Sequence, residues 1–368
     1  MQNRFSPLDA LRAIAAILVV WQHFSESFLR IPGVAANGTA FYDIPWLVDF
    51  GRIGVVCFFL ISGFIIPSSL KADQVEPIKG FAIKRFFRLF PAYWASILAA
   101  VVVHHWMLQQ NYSITTIVAN TTMLQTFFGE KHILGLYWTL QIELLFYISC
   151  AILFVAKVLH RPGALLSASL ALLILFGIAQ LYFKKHPDLA PPKEIAYAPF
   201  LMAIMFLGAV YRAAYDSQWK NRQINYFAAV GTLFNFGIPL MVLLDFLWNH
   251  QRLTDSPIRF GTSHLLGLFI FAFGLYFLKN PPKFLIWMGK ISYSIYLFHP
   301  IAMAFVIGIS KSHGITGYHV SYYMLAGTLL CLAMAEASYR WIEAPANQWG
   351  HNLTKHGTKV SISNARSV

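Results

Sequence analysis

The sequence predicts an all-α membrane protein: a polytopic bundle of about ten transmembrane helices, with both termini inside. Three observations predict it. The chain is 57% hydrophobic and only 12% charged, against roughly 25% charged in a soluble domain, so a soluble fold of this length would expose its apolar surplus and aggregate. Aromatic residues make up 16%, which suits helix packing and interfacial belts. Apolar runs long enough to cross a bilayer recur along the whole chain.

Taken in order, the first run, Leu8 to Phe24, has the length of a signal peptide. Its embedded Asp9, Arg12 and His23 and the runs that follow argue for a retained span. Ile53 to Leu70, Phe86 to Leu108, Leu136 to Ala156 and Ala164 to Phe183 are the next four spans. The second half gives Ile195 to Tyr211, Ile224 to Trp248, Ile258 to Leu278, Phe284 to Ile309 and Ser321 to Ile342. Short turns with Pro162, Pro281 and Pro282 mark helix ends, and Pro91 and Pro199 within spans are tolerated where neighbouring helices satisfy the freed backbone. With the N-terminus inside, the inner segments carry roughly twice as many Lys and Arg as the outer ones, the positive-inside pattern. Lys71, Lys79, Lys84, Arg85 and Arg88 are the densest inner group.

The expected organisation is one transmembrane domain, residues 1–346, followed by a short basic tail, 347–368, expected to be cytoplasmic and flexible. The longest outer connections, Ser25–Arg52 and Gln109–Gly135, are placed to form a vestibule or partial lid. The net charge of +13 does not argue for nucleic acid, because the basic residues sit in short loops between apolar runs. Cys57, Cys150 and Cys331 lie inside apolar runs without metal-ligand spacing, and no metal is expected.

Ionisable groups inside spans are expensive and mark candidate sites. Arg12 and His23 are eleven residues apart, which on a helix is about three turns and about 16 Å, so both project from one face. Asp9 is within pairing reach of Arg12. Antiparallel placement of the first and fourth spans would put Glu143 at the level of His23. There it would fix the imidazole tautomer while His23 served as general base to a hydroxyl; a structural Glu–His or Glu–Arg pair is the competing reading. Lys84, Arg85 and Arg88, at the start of the third span, suit the phosphates of a cytoplasmic cofactor, although ordinary inner-face charge and lipid headgroups also explain them. Tyr293, Tyr296 and His299 would line a tunnel or form part of a hydrogen-bonded core. Glu336 and Arg340 read as an intrahelical pair.

These residues stand in motifs that resemble the acyltransferase 3 family. Leu8-Asp9-Ala10-Leu11-Arg12-Ala13-Ile14-Ala15-Ala16 is similar to its opening, with Arg12 and His23 as its R-x10-H pair. Gly54 to Phe64 resembles its second-span pattern, and Arg85-Phe86-Phe87-Arg88-Leu89-Phe90-Pro91-Ala92-Tyr93-Trp94 its R-x-x-R motif. Trp138-Thr139-Leu140-Gln141-Ile142-Glu143-Leu144-Leu145-Phe146-Tyr147 matches W-[ST]-L-x-x-E-x-x-F-Y. Gly289 to Pro300 and Ile342-Glu343-Ala344-Pro345 complete the order. Ala10 and Ala13 replace the usual glycines, Phe298 an often-seen Trp, and Ala344 a usual Arg.

The resemblance implies transfer of an acyl group, most often acetyl, from acyl-coenzyme A to a sugar hydroxyl outside the cytoplasmic face of a bacterial inner membrane. The acceptor would be a glycan or lipid-linked glycan such as lipopolysaccharide O-antigen or exopolysaccharide, or an exported small molecule such as a macrolide. In that setting His23, Glu143 and Arg12 would be catalytic, and Lys84, Arg85, Arg88 and Arg12 would hold the donor. Asp9, Ser62, Trp138, Tyr293, Tyr296 and His299 would line the tunnel or acceptor site. Ser62 is conceivable as an acyl carrier, but a serine beside a glycine in a span is more often a packing residue. A transporter or flippase of a polar lipid or glycan is the alternative class, and a non-catalytic membrane scaffold or sensor the third. A transporter predicts internal repeats and paired broken helices, which the sequence does not display.

Overall fold

The computed structural model describes residues 5–30, 34–38, 44, 48–249 and 257–364. Along them run α1 (Ser6–Arg30), β1 (Ala35–Asn37), α2 (Phe50–Ile65), α3 (Pro77–Leu108), α4 (Ile114–Thr121), α5 (Tyr137–Val155), α6 (Pro162–Lys185) and α7 (Lys193–Asp216). They are followed by α8 (Arg222–Asn249), α9 (Pro257–Phe277), α10 (Lys283–Lys290), α11 (Ser292–Ser312), β2 (Tyr318–His319), α12 (Val320–Ser338) and α13 (Ala344–Asn364). Ten helices among the described residues are long and apolar enough to cross a membrane. The protein is an all-α, multi-pass membrane protein.

Several elements differ from the sequence expectation for physical reasons. The first helix continues six residues beyond Phe24, to Arg30. Ser25 is fully buried and its hydroxyl returns to the Gln22 carbonyl at 3.0 Å, while Phe28 is buried beside the Tyr323 ring. Because protein covers this end of the helix, its polar residues mark no boundary. The expected ninth span is broken at Ile291 into α10 and α11. The chain after Asn347, expected as a flexible tail, is helical through Asn364, and α13 packs on α3. Gly350 permits this, since a Cβ there would lie 2.9 Å from Phe87 Cβ. The last residues of that tail, like much of the Ser25–Arg52 connection, lie outside the described residues.

The chain falls into two compact units. One comprises Met1–Val19, Asp43–Ser68 and Trp138–Gly289. Its central helix is α7, packed against α2, α6 and α8, with Ala203, Ile204, Met205, Leu207 and Val210 fully buried. The α2–α7 contact is backbone to backbone. A Cβ on Gly63 would sit 1.8 Å from the Met205 carbonyl oxygen, and one on Gly208 would sit 2.4 Å from that of Leu60. Small residues let membrane helices approach this closely, where packing and polar contacts must hold them because lipid supplies no hydrophobic drive. The polar contact here is Asn235, which donates to Ser169 Oγ (2.9 Å), while Ser169 donates to the Ala203 carbonyl (2.9 Å). Three helices are joined by two side chains.

The other unit comprises Val20–Tyr42, Ser69–Tyr137 and Lys290–Val368. In it α11 packs against α3 and α12, with Gly308 admitting Met107 and Gly327 admitting Phe24. Two short strands pair in parallel, Ala35 opposite Tyr318 and Asn37 opposite His319. The connection between α3 and α5 is folded around Asn120, which is fully buried. Its amide donates to the carbonyls of Thr116 (2.8 Å) and Lys131 (2.9 Å), its oxygen accepts from Ile133 N (3.1 Å), and its own carbonyl accepts from Tyr93 OH (2.7 Å). Tyr112, in the same connection, meets His104 Nδ1 at 2.5 Å, and burial raises its phenol above the ordinary tyrosine range. Asn120→Ala removes the side-chain partner of the Lys131 carbonyl and of the buried Ile133 N–H, so a loss of about 2–4 kcal/mol is expected. Denaturant unfolding in mixed micelles, compared with wild type, measures it.

Candidate active site

In the first unit, Asp9 and Arg12 form the ion pair that their spacing predicts, Arg12 Nη1 to Asp9 Oδ1 at 3.3 Å. Asp9 is buried and Arg12 is about a quarter exposed. The first turn of α1 is held where α10 ends: a Cβ on Gly289 would lie 1.9 Å from the Asp9 carbonyl oxygen. Only a glycine lets the two backbones meet at this level, so the break between α10 and α11 follows directly on a close helix contact.

Glu143, half-buried on α5, accepts from Ser62 Oγ (3.1 Å) and from Tyr147 OH (2.7 Å), both on Oε1. Tyr147 is one turn along the same helix, and Ser62 comes from α2. Gly63, next to Ser62, is the residue seated on α7, so the depth of α2 against α7 fixes where the Ser62 hydroxyl stands. A serine hydroxyl donating to a carboxylate is the geometry of a nucleophile beside a base; it also ties α2 to α5. Trp138 is half-buried at the start of α5.

In the second unit, His23 is exposed although it lies on a mostly buried helix, seven residues before the end of α1. That places it about 10 Å short of the helix terminus. Its ring lies against that of His299, with centroids 5.2 Å apart and planes 32° apart. His299 is fully buried, with Nδ1 2.8 Å from the Tyr296 carbonyl. Tyr296 donates to the Leu136 carbonyl at 3.3 Å. Sequence spacing could not pair His23 with His299, because the contact joins helices from opposite ends of the chain.

The three basic residues of α3 are not equivalent. Arg85 donates to Ser69 Oγ (2.9 Å) and stands over the Phe81 ring. Arg88 is ion-paired with Glu343 and lies over the Tyr293 ring. Lys84 makes no ion pair or side-chain hydrogen bond with the described residues. Glu343 has no exposed side-chain surface. Its second oxygen accepts from Ser294 Oγ (2.8 Å), which lies 3.2 Å from Ser338 Oγ, and Tyr293 OH donates to the Leu89 carbonyl (2.9 Å). Glu343 closes a π-helical turn, Tyr339–Glu343, between α12 and α13. Such turns often occur at functional positions. Sequence reasoning gave Glu343 no role. The signal was there, since a carboxylate at the end of an apolar run needs a buried cation, and Arg88 on the third span supplies it.

A family model described as an acyltransferase domain, acyltransferase 3, matches residues 6–336. The chain belongs to this family. The matched stretch of the acyltransferase domain runs from the first turn of α1 into α12, and so contains every residue of the Asp9–Arg12, Ser62–Glu143 and His23–His299 groups. Among similar proteins is one named as a candidate O-acetyltransferase in Staphylococcus aureus strain MSSA476, 25% identical over 388 residues, covering 94% of this chain and 58% of that protein. One named as a candidate peptidoglycan O-acetyltransferase, YrhL of Bacillus subtilis strain 168, is 24% identical over 412 residues, covering 95% of this chain and 56% of the relative. Nodulation protein 10 of Rhizobium leguminosarum bv. viciae is 30% identical over 185 residues, covering 45% and 48%. The acyltransferase domain thus spans rather more than half the length of the two O-acetyltransferase relatives. No solved structure matches it.

Proposed function

We propose that the protein is a membrane O-acyltransferase that moves an acetyl group from cytoplasmic acyl-coenzyme A to a sugar hydroxyl of an extracytoplasmic glycan. A bacterial inner membrane, with both termini inside, is the setting that fits the charge distribution. Lipopolysaccharide O-antigen, exopolysaccharide and peptidoglycan are acceptors of the right chemistry, the last being the one in the name of a relative.

The observation that carries this reading is an accessible imidazole well inside a membrane helix, in a chain of the acyltransferase family. A buried structural histidine would have no reason to be open. In the proposed step His23 takes the proton of the acceptor hydroxyl as its oxygen attacks the thioester carbonyl. The C–S bond breaks, the coenzyme A thiolate leaves, and the proton passes on to it or to water. Lys84 and Arg85 supply charge for the donor phosphates, and Arg88, engaged by Glu343, braces the helix that carries them. Arg12, held by Asp9, is a further cationic group for the donor. Ser62 with Glu143 offers a second, covalent route, in which the serine carries the acyl group between donor and acceptor.

The test is release of free coenzyme A and labelling of isolated envelope polysaccharide by purified protein with acetyl-coenzyme A in detergent. His23→Ala is expected to lower transfer by about 10²–10⁴-fold, the usual loss of a general base, while the protein remains folded. Ser62→Ala leaves transfer intact if the route is direct. Movement of glycan or lipid across vesicles without any coenzyme A release would overturn the reading in favour of a transporter.

A further inference from the structure

The His299 side chain presents a problem of hydrogen-bond accounting. It is fully buried. Its Nδ1 faces two backbone carbonyls on its own helix, Tyr296 at 2.8 Å and Ile295 at 3.3 Å, so Nδ1 carries the hydrogen. Its Nε2 has no partner among the described residues. A proton on that nitrogen would be a buried charge without an acceptor, so the lone pair stands there instead. Buried polar atoms are nearly always paired, and one left open needs a reason.

We infer that His299 is the positioning residue of His23: its open Nε2 accepts a hydrogen bond from the His23 ring and holds that ring in place while it carries a proton. This rests on His23 acting as the base. Ring centroids 5.2 Å apart bring a His23 nitrogen to about 3 Å from the His299 Nε2 edge when the His23 ring turns toward it, which is hydrogen-bond distance. Phe24 packs on the other ring, 6.3 Å between centroids, and the two carbonyls fix its Nδ1 edge, so His299 cannot turn over to present an N–H. His23 is exposed and is therefore the ring with room to turn. The orientation of the acceptor is fixed by its own helix. An imidazolium formed on His23 during transfer gains a charge-assisted bond, whereas a neutral His23 gains less, so the contact favours the step over the resting state.

Three variants in the purified full-length protein test this. His299→Phe keeps the ring volume but offers no nitrogen, and is expected to lower kcat for acetyl transfer by 10–100-fold. The KM for acetyl-coenzyme A should be unchanged, and the thermal midpoint unchanged or higher, because an unpaired buried atom has been removed. His299→Gln can place an oxygen where Nε2 stood and is expected to recover at least a third of the lost rate. His299→Asn keeps a group for the Tyr296 carbonyl but reaches no further; it should be as slow as the Phe variant, and decides the matter if that variant does not fold. Wild-type kcat in the Phe or Asn variant overturns the inference. So does a lower thermal midpoint with no recovery in the Gln variant, which marks a packing role. Transfer that survives His23→Ala would instead overturn the parent reading.

Discussion

Glu343→Ala will cost about 3 kcal/mol of stability and will weaken donor use. Removing one member of a buried ion pair costs about 3–5 kcal/mol because the other charge is stranded. Arg88 retains partial exposure, 29% of its side chain, which sets the effect at the low end. The same change frees Ser294 Oγ and removes the anchor between the π-helical turn and α3. Glu343→Gln keeps an acceptor for Ser294 and should lose only about half as much. Denaturant unfolding in mixed micelles reads the stability, and the KM for acetyl-coenzyme A, raised several-fold, reads the displaced Lys84 and Arg85. Replacing Arg88 and Glu343 together by leucine should restore much of the stability, as apolar substitutes for buried pairs do, without restoring KM. A loss in the double variant equal to the sum of the two single losses would show that the pair is not coupled.

Gly63→Val is the second large effect. Its Cβ would be 1.8 Å from the Met205 carbonyl oxygen, and backbone cannot yield as a flexible side chain can. Overpacking costs about 1–3 kcal/mol where neighbours adjust; here α2 must lift from α7 along a seam that Gly208 also closes, its Cβ position being 2.4 Å from the Leu60 carbonyl oxygen, so a loss above that range is expected. The displacement carries Ser62 away from Glu143. A cysteine pair on the facing ends of α2 and α7 that crosslinks in wild type should crosslink poorly in this variant. Unchanged crosslinking and stability would mean that α2 and α7 do not meet backbone to backbone at Gly63.

Much of the architecture was legible in the sequence because hydropathy and proline placement are local signals. All ten spans could be placed, within a few residues in most cases. The misplacements share one cause: polarity marks a helix end only where the end meets water or headgroups. Ser25 and Gln22 are buried by protein, so α1 runs on past them. Gly289 looked like an ordinary span residue, yet its contact with Asp9 precedes the break at Ile291. Of the candidate site, Asp9 with Arg12 was readable because a helix repeat brings them together. Arg88 with Glu343, and His23 with His299, were not, since each pair is separated by most of the chain and nothing in the spacing says which helices become neighbours. Glu143 stands out in the sequence as a carboxylate within an apolar run, but its partners Ser62 and Tyr147 could not be derived from its depth alone.

The wide turn before α13 also sets a phase. A π-helical turn holds one residue more than the α-helix would over the same rise, so everything beyond it is rotated by about 100° relative to an unbroken helix. Closing this turn as a regular α-helix at unchanged length would swing its carboxylate off the guanidinium of α3 and turn Gly350 away from Phe87 in the same movement, whereas deleting one residue from the turn would keep that phase. In this stretch the count of residues is matched to the width of the turn, so the two can change together but not separately.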